Sequence, residues 1–351
     1  MAGRIPPLRY NFHVSRICIV PAVGGIGGMS SFRHKFEAGL NTRGIRVTHD
    51  PSDSASAILV IAGTKNVLPL WRARRNGVRI VQRLDGINWV HRRRNTGPRH
   101  FVRAEYGNLL LSQIRARLAT HLLYQSEFTH NWWEHWYGPK PIPFSIVHNG
   151  VDLDTYCPRG PAESPGARCR LLVVEGNLGG GYDLGLESAV QLGELLTQRH
   201  GFPMELMVVG QITETHRAAV QKRARVPIVW TGPVAPERIP AINRSAQLLF
   251  SADLNAACPN SVIEALACGL PVVAFETGAL KEIVVGACGR LVPYGGDPWR
   301  LERPDVPALA EAAAEILNDR ANFSRAARAH AESALGLDRM MDGYLKALLE
   351  A

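Results

Sequence analysis

Short apolar runs alternate with amphipathic segments along almost the whole chain, and this alternation restricts the fold more than any other feature. The segments between the runs carry apolar residues at helical spacing, and no hairpin signal joins one run to the next. Strands that alternate with helices form parallel sheets with helices on both faces, so the sequence predicts an α/β fold. The apolar runs of strand length lie at residues 16–21, 57–62, 78–82, 121–126, 170–175, 204–209, 226–231, 246–250 and 271–275.

The length of the chain allows two domains. Of its 351 residues, 46% are hydrophobic and 20% are charged, as in a globular protein. Residues 158–166 are rich in proline and glycine, which is typical of a linker. We therefore predict a first domain at residues 1–165 and a second at residues 166–335.

Composition also restricts the setting in which the protein works. No run of about 18 or more apolar residues is present, so we expect no membrane-spanning helix. The first 15 residues lack the apolar core of a signal peptide, which argues against export. The six cysteines are scattered without metal-ligand spacing, and two of them, Cys18 and Cys268, lie in apolar segments. We therefore expect a cytoplasmic protein without disulfides or a zinc site.

Positive charge is concentrated in the first half of the chain. The net charge is +9, and residues 1–165 hold 22 Lys and Arg against 10 Asp and Glu. Only this half is therefore expected to meet an anionic partner, such as a lipid headgroup or a phosphorylated acceptor. Nucleic acid is the least favoured partner, because no helix-turn-helix, aromatic platform or zinc knuckle is recognisable.

A glycine-rich loop follows the first predicted strand. Residues 24–29 (GGIGGM) precede a predicted helix at residues 30–43. Glycines at such a place let the backbone approach a ligand closely. The spacing does not match the dinucleotide fingerprint, so the loop predicts either a ligand contact or only a tight turn.

The stretch at residues 251–285 carries the clearest chemical signal. Its Cys-Pro-Asn-Ser loop (258–261) leads into a predicted helix at 262–268, followed by a buried strand at 271–275. The backbone N–H groups of Ser261, Val262 and Ile263 would then be unpaired at a helix start, where a phosphate is favoured. Glu264, one turn further on, is placed to accept a hydrogen bond from a sugar hydroxyl.

This stretch resembles the donor-binding region of the retaining glycosyltransferases of family GT4. The resemblance rests on EALACGLPVVA at residues 264–274 and on the HNGVD turn at residues 148–152. It implies the GT-B fold, in which two Rossmann-like domains face a cleft and the C-terminal helix, here in residues 336–351, crosses back to the first domain. It also implies transfer of a sugar from a nucleotide-sugar donor, without a metal or other cofactor.

The resemblance further implies roles for individual residues. Asp85, which follows the strand at 78–82, is the candidate for contact with an acceptor hydroxyl, although a turn or helix-cap role is open as well. Glu264 is the second residue with an implied catalytic role. The implied donor-binding residues are Gly25, Gly27, Gly28, Gly176, Asn177, Gly180, Asn260, Ser261, Val262, Glu264 and Glu282.

A basic segment lies between Asp85 and the next predicted helix. Residues 91–103 (HRRRNTGPRHFVR) form either a solvated face or a clamp for an anionic acceptor or a membrane surface. The residues assigned to acceptor or anion contact are Arg83, Arg92, Arg93 and Arg94. Such a clamp would hold a glycan or lipid-linked acceptor, with the protein bound peripherally at the inner face of the membrane.

The chain departs from the family pattern at three donor contacts. The family has Arg, Lys and a first Glu where this sequence has Asn177, Tyr182 and Ala256. A departing nucleoside diphosphate develops negative charge that cations or helix dipoles must stabilise. Either the glycine-rich loop, the helix start and an arginine from elsewhere, such as Arg33, replace these contacts, or catalysis is lost.

Three hypotheses therefore follow from the sequence. The first is a retaining glycosyltransferase that binds a nucleotide sugar. The second is another GT-B enzyme, such as a sugar-nucleotide epimerase or a phosphorylase; a pyridoxal-dependent phosphorylase would need a suitably placed lysine, and Lys222, Lys281 and Lys346 are unsuitable. The third is a glycan- or anion-binding protein whose donor site no longer catalyses transfer.

Overall fold

The computed structural model describes residues 16–22, 24, 27–163, 165–178 and 183–350. Internal contacts divide the chain into two units. The first unit comprises Met1–Asn88, Val102–Gly150 and Leu337–Ala351. The second unit comprises Trp89–Phe101 and Val151–Gly336, so all but the last two residues of the basic segment belong to the second unit, although the segment lies in the first half of the sequence.

The boundary between the units lies after Gly150, which is earlier than the boundary at residue 165 that the linker composition indicates. Val151 donates its N–H to the carbonyl oxygen of Leu335 at 2.9 Å. Arg328 donates to the carbonyl oxygen of Tyr156 at 2.8 Å. The stretch that begins at Val151 is therefore attached to the second unit by hydrogen bonds that composition does not reveal.

The first unit is built around a six-stranded parallel sheet with strand order β2-β1-β3-β4-β5-β6. In chain order its elements are β1 (Arg16–Val20), α1 (Gly28–Thr42), β2 (Arg46–Thr48), β3 (Ala57–Ile61), α2 (Val67–Arg75), β4 (Arg79–Leu84), α3 (Pro98–Arg117), β5 (His121–Tyr124), α4 (Glu127–Tyr137) and β6 (Phe144–Ile146). The first residues of α3 are counted with the second unit.

The second unit has a six-stranded sheet of its own, again parallel throughout, with strand order β12-β11-β10-β7-β8-β9. In chain order its elements are β7 (Cys169–Asn177), α5 (Asp183–His200), β8 (Met204–Gln211), α6 (Glu214–Arg223), β9 (Ile228–Gly232), α7 (Ile239–Ser245), β10 (Leu248–Phe250), α8 (Asn260–Ala267), β11 (Val272–Phe275), α9 (Leu280–Ile283), β12 (Gly289–Val292), α10 (Val306–Asn318) and α11 (Arg320–Ala334).

The last helix, α12 (Leu337–Leu349), packs in the core of the first unit. Tyr344 is fully buried there, and its ring lies 5.0 Å from that of Phe32 and 5.1 Å from that of Phe36. Burying these aromatic side chains removes a large apolar area from water, which fastens the C-terminal segment to the first sheet. The predicted return of the C-terminal helix is confirmed.

Both faces of the first sheet are covered, and the strand period shows why. Ile17 and Ile19 of β1 point into the core that contains α1 and α12. Cys18 and Val20, on the opposite face of the same strand, point into the core that contains α2 and α3. Continuous apolar runs are the mark of a sheet covered on both faces, as the sequence predicts.

The cysteines behave as small apolar residues. All six are free, and Cys18 and Cys268 are buried. Burial raises the pKa of each of these two thiols to about 12, so neither forms a reactive thiolate near neutral pH. No helix in the described part of the chain combines the length and apolar character that crossing a bilayer requires.

Candidate donor site

The start of α8 lies at the carboxyl-terminal edge of the second sheet. The helix follows β10 and precedes the parallel strand β11, so its N-terminus lies on the side where both strands end. Pro259 is the N-cap, and no side-chain hydrogen bond caps the helix within the described residues. Strand ends in α/β sheets are the usual place for ligand sites.

The helix begins two residues earlier than the sequence predicts. Because the first turn starts at Asn260, the N–H of Ile263 is taken by the carbonyl oxygen of Pro259 at 3.3 Å. The N–H groups without an intrahelical acceptor are therefore those of Asn260, Ser261 and Val262. Asn260 and Ser261 are only half-buried, so a ligand can reach this helix start.

Glu264 lies in the second turn of α8 and is 8% exposed. The side chain of Tyr156 hydrogen-bonds to it. Burial raises the pKa of Tyr156, and the neighbouring Glu264 raises it further, so the phenol stays protonated and donates to the carboxylate. The hydrogen bond from Tyr156 therefore helps to orient the carboxylate of Glu264.

The position that carries the first Glu of the family pattern is closely packed. Ala256 is 3% exposed, and its carbonyl oxygen accepts the N–H of Ala279 at 2.9 Å. Gly278 lies against it in a left-handed conformation with φ of 58°. A Cβ atom on Gly278 would lie 2.5 Å from the nitrogen of Ala256, so this approach needs glycine. Glu282, half-buried in α9, follows this contact.

Two acidic side chains meet at the same edge of the sheet. Glu175 lies near the end of β7, and its carboxylate accepts the backbone N–H groups of Ala252 and Asp253, which follow β10. Burial raises the pKa of Asp253 to about 7. Burial likewise raises the pKa of Glu175, and the charge of Asp253 adds to the effect. The pair therefore holds a proton near neutral pH, as like charges at short range do.

Sequence reasoning missed this pair. Glu175 ends the apolar run RLLVVE, and Asp253 follows LLFSA, so each acid is recognisable as a residue at a strand end. What the sequence does not show is that β7 and β10 are neighbours, since two strands of the sheet, β8 and β9, separate them along the chain.

The basic segment contacts the start of α5. Arg94 donates to the carboxylate of Asp183, the first residue of that helix, at 2.5 Å. Burial acts to raise the pKa of Asp183, but the hydrogen bond and charge of Arg94 lower it overall. Nearby, the rings of Trp89 and Trp299 meet edge to face at 5.0 Å. The loop that contains Trp299, which no sequence signal explains, thus packs against Trp89, two residues before the basic segment.

The remaining residues assigned from the sequence are dispersed. Gly176 and Asn177 are exposed at the end of β7, and Arg92 and Arg93 are exposed in the basic segment. Gly27, with φ of 141°, precedes α1, and Gly28 is its first residue. Gly25 and Gly180 lie outside the described residues.

Arg83 has a different position from the one expected of an anion contact. It is 1% exposed, and its guanidinium donates to Tyr344 Oη (2.9 Å), Gln125 Oε1 (2.8 Å), Asn149 Oδ1 (3.1 Å) and the carboxylate of Asp85. These protein acceptors occupy the guanidinium inside the first unit. Arg83 therefore orients Asp85 and does not reach out to an acceptor.

Asp85 is held at the carboxyl end of β4. Besides Arg83, the amide of Gln125 donates to its Oδ1, and the indole of Trp133 donates to its carbonyl oxygen at 2.7 Å. Burial raises the pKa of Asp85, and Arg83 opposes that rise. The side chain retains 24% exposure, so its other carboxylate oxygen is accessible.

Comparison with known proteins identifies the second unit. Residues 172–319 match the family model described as "Glycosyl transferases group 1". This region is similar to group 1 glycosyltransferase domains, and it is called the glycosyltransferase domain below. The glycosyltransferase domain contains the start of α8, Glu264, Glu282 and the pair formed by Glu175 and Asp253.

A curated relative extends the match beyond the glycosyltransferase domain. The chain is 27% identical over 212 residues to a D-inositol 3-phosphate glycosyltransferase of Rhodococcus erythropolis. The aligned part covers 54% of this chain and 47% of the relative, so the chain spans about half the length of that protein.

Solved structures match nearly the whole chain, including the glycosyltransferase domain. Sucrose-phosphate synthase of Thermosynechococcus elongatus has a TM-score of 0.71 at 16% identity, over 95% of this chain and 99% of that one. WaaG, a glycosyltransferase involved in lipopolysaccharide biosynthesis, gives 0.69 at 15% identity, over 96% and 100%. Anabaena HepE in complex with UDP-glucose gives 0.67 at 14% identity, over 96% and 100%. These matches confirm the predicted GT-B fold of two Rossmann-like units.

Proposed function

We propose that the chain is a retaining glycosyltransferase of the GT4 type, which transfers a sugar from a nucleoside-diphosphate donor to a glycan or lipid-linked acceptor. The observation that carries the proposal is the start of α8, where three N–H groups lack an intrahelical acceptor and Glu264 follows one turn later. The setting of this helix in a group 1 glycosyltransferase domain supports the assignment. The N–H groups bind the departing diphosphate, and Glu264 binds the sugar.

Arg94 supplies positive charge that the family pattern places elsewhere. Positions 177 and 182 are Asn and Tyr in this chain, so neither neutralises a diphosphate. Arg94 lies at the start of α5, on the same edge of the sheet as the start of α8. In the free protein Asp183 holds this guanidinium in place, and a bound diphosphate competes for it. This assignment replaces Arg33, the candidate from the sequence.

The likeness to HepE, whose solved structure contains UDP-glucose, supports a nucleotide sugar as donor. Asp85 binds the acceptor hydroxyl through its accessible oxygen, and Arg83 orients that carboxylate and opposes the rise in its pKa that burial causes. The reaction proceeds without a metal cofactor, with the leaving phosphate taking the acceptor proton. Arg92 and Arg93 of the basic segment are exposed, and the first half of the chain is basic. Because the inner face of the membrane carries anionic lipids, this positive charge favours an acceptor located there.

A second candidate function is nucleotide or glycan binding without transfer. Ala256, in place of a donor-binding Glu, is enclosed by Gly278 and Ala279. The acid pair of Glu175 and Asp253 also adds negative charge at the edge where a diphosphate would bind. Substituting Arg at 177, Lys at 182 and Glu at 256 together distinguishes the two candidates, because a binding protein would gain no transfer activity.

A melting-temperature screen against nucleoside diphosphates and nucleotide sugars tests the proposed function. A ligand that binds only the folded state raises the melting temperature, so at least one member of the panel must do so. The sugar donor that binds is then incubated with glycan and lipid-linked acceptors, and the anomeric configuration of the product is read by NMR. Chelation of divalent metals should leave the rate unchanged. Failure of every nucleotide to shift the melting temperature contradicts the proposal.

A further inference from the structure

A cavity lies in the glycosyltransferase domain, at the edge of the sheet opposite the start of α8. Its volume is about 400 Å³, within the range of small-molecule sites. Gln247, which lines it, immediately precedes β10, and Pro271, also in the lining, immediately precedes β11. The cavity is therefore at the amino-terminal edge of the sheet, whereas the start of α8 is at the carboxyl-terminal edge. The ends of α7 and α8 and the start of α11 complete the walls.

The lining of this cavity is positively charged. Among the described residues that form it, two are arginines and none is Asp or Glu. Arg244 is held by the carbonyl oxygens of Pro161 (2.8 Å) and Cys157 (3.1 Å), so its guanidinium is fixed in position. Arg320 is exposed, and no hydrogen bond or ion pair engages it in the described part of the chain. Two cations without a facing carboxylate favour an anionic ligand.

The start of α11 adds to this positive potential. Arg320 and Ala321 are its first two residues, and no side-chain hydrogen bond caps it within the described residues. The carboxylate of the N-cap residue Asp319 accepts two hydrogen bonds from the side-chain amide of Asn322, at 2.6 and 2.8 Å. The helix start thus presents N–H groups to the cavity in addition to the guanidinium of Arg320.

One residue of the cavity wall, Asn243, carries an unpaired buried acceptor. Asn243 is 1% exposed, and its Nδ2 contacts the sulfur of Cys268 at 3.9 Å. Its Oδ1 has no hydrogen-bond donor within the described residues. A buried polar atom left unpaired is costly, and the large majority of such atoms in proteins are paired. This oxygen has almost no accessible surface in the free protein, so a ligand hydroxyl in the cavity pairs with it only when the Asn243 side chain rotates towards the cavity.

We propose that this cavity binds a small phosphate monoester that carries hydroxyl groups, such as a sugar phosphate or the phosphorylated headgroup of a lipid. The phosphate is bound by Arg320, Arg244 and the start of α11. A hydroxyl donates to Oδ1 of Asn243, and the amide of Gln247, whose Oε1 already accepts the N–H of Arg170 at 2.6 Å, is free to donate to another ligand oxygen. The site does not depend on the proposed transferase activity.

Calorimetric titration of the full chain with glucose 6-phosphate, inorganic phosphate and glucose tests this proposal. Glucose 6-phosphate should bind more tightly than phosphate, and glucose should bind weakly or not at all.

Arg320→Glu should weaken glucose 6-phosphate binding by at least about tenfold, because it replaces a charge-assisted contact by repulsion. Ala321→Phe should also weaken it by filling the cavity without a change in charge. Vesicles with and without a phosphoinositide distinguish a lipid headgroup from a free metabolite as the source.

Arg325→Glu is the matched control. Arg325 is exposed on the same helix but does not line the cavity, so the same charge change there should alter the affinity less than about twofold. The melting temperatures of all three variants should stay close to that of the unmodified protein. Equal effects of Arg320→Glu and Arg325→Glu would overturn the proposal. So would the absence of saturable binding, or displacement of glucose 6-phosphate by a nucleoside diphosphate, which would place it at the start of α8.

Discussion

The carboxylate of Glu175 accepts the backbone N–H of Asp253, which brings two acidic side chains together at the ends of neighbouring strands. Burial and mutual repulsion both favour a shared proton, and the pKa of Asp253 is raised to about 7. The charge at this edge of the second sheet therefore changes within the physiological pH range.

The first prediction concerns stability against pH. In the unfolded chain Asp253 ionises near pH 4, but in the native state burial keeps its proton until about pH 7. The native state thus binds more protons in this window, so this carboxyl lowers the free energy of unfolding as pH rises from about 4 to about 7. Asp253→Asn has no carboxyl to titrate, so it removes this decrease in the free energy of unfolding. It should be more stable than the unmodified protein at pH 8, on the order of 1–3 kcal/mol, with the difference shrinking towards pH 4. Urea denaturation from pH 4 to pH 8 measures the difference in unfolding free energy between the two proteins. A difference that does not change with pH would contradict the prediction.

The second prediction concerns the contact of α5 with the end of β10. A Cβ atom on Gly185 would lie 2.2 Å from the carbonyl oxygen of Ala252, which is backbone and cannot easily move. Gly185→Ala should therefore destabilise the protein by about 1–3 kcal/mol. Gly193→Ala in the same helix is the matched control, because its Cβ would lie 3.5 Å from Val226 in ordinary contact. The control should be neutral or stabilising by up to about 1 kcal/mol. Equal effects in chemical denaturation would refute the argument.

The third prediction concerns the buried guanidinium of the first unit. Arg83→Met removes the buried guanidinium that pairs with the partly buried Asp85 and donates to Gln125, so it should cost about 3–5 kcal/mol of unfolding free energy. Arg93→Met, at an exposed position, should change stability by less than about 0.5 kcal/mol. Thermal denaturation of both variants checks this. A stable Arg83→Met protein that loses only acceptor binding would show instead that Arg83 is an anion contact.

The fourth prediction concerns Arg94. Arg94→Ala should weaken binding of a nucleoside diphosphate by about tenfold, because a charged donor to the phosphates is lost. The loss of its half-exposed pair with Asp183 should cost less than about 1 kcal/mol of stability. Arg93→Ala, one residue away and exposed, is the control and should leave the affinity within about twofold. Equal affinities of the two variants in calorimetric titration would remove Arg94 from the donor site.

The alternation of strands and helices could be predicted because it depends on local patterning. Apolar runs on both faces of β1 and β3, and the helix and strand at residues 260–275, follow from residue type and period. The start of α8 lies two residues before the predicted one, because Asn and Ser are preferred at the N-cap, directly before a helix, whereas Asn260 and Ser261 form its first turn.

Contacts between distant parts of the chain could not be predicted. Arg83 donates a hydrogen bond to Tyr344 of α12, which is 261 residues away in sequence. Nothing near Arg83 in the sequence indicates that α12 packs against it. The basic segment has the composition of a solvated loop, yet Arg94 pairs with Asp183, 89 residues away. The meeting of Glu175 with Asp253 likewise depends on strand order, which a sequence pattern does not specify.

The backbone N–H of Asn260 offers the most direct test of the donor site. Proline is well tolerated at the first position of a helix, and Pro259 already has the extended conformation, with φ of −70° and ψ of 116°, that a residue before proline adopts. Asn260→Pro therefore deletes one N–H with little strain, and Asn260→Ala removes the same side chain but keeps the N–H.

The decisive measurement is the dissociation constant of the nucleoside diphosphate that binds the unmodified protein most tightly, determined by calorimetry for both variants. If the start of α8 binds the leaving group, Asn260→Pro should bind it about tenfold more weakly than Asn260→Ala, at equal melting temperature. Equal dissociation constants for the two variants, or no nucleoside diphosphate binding by the unmodified protein, would contradict the account.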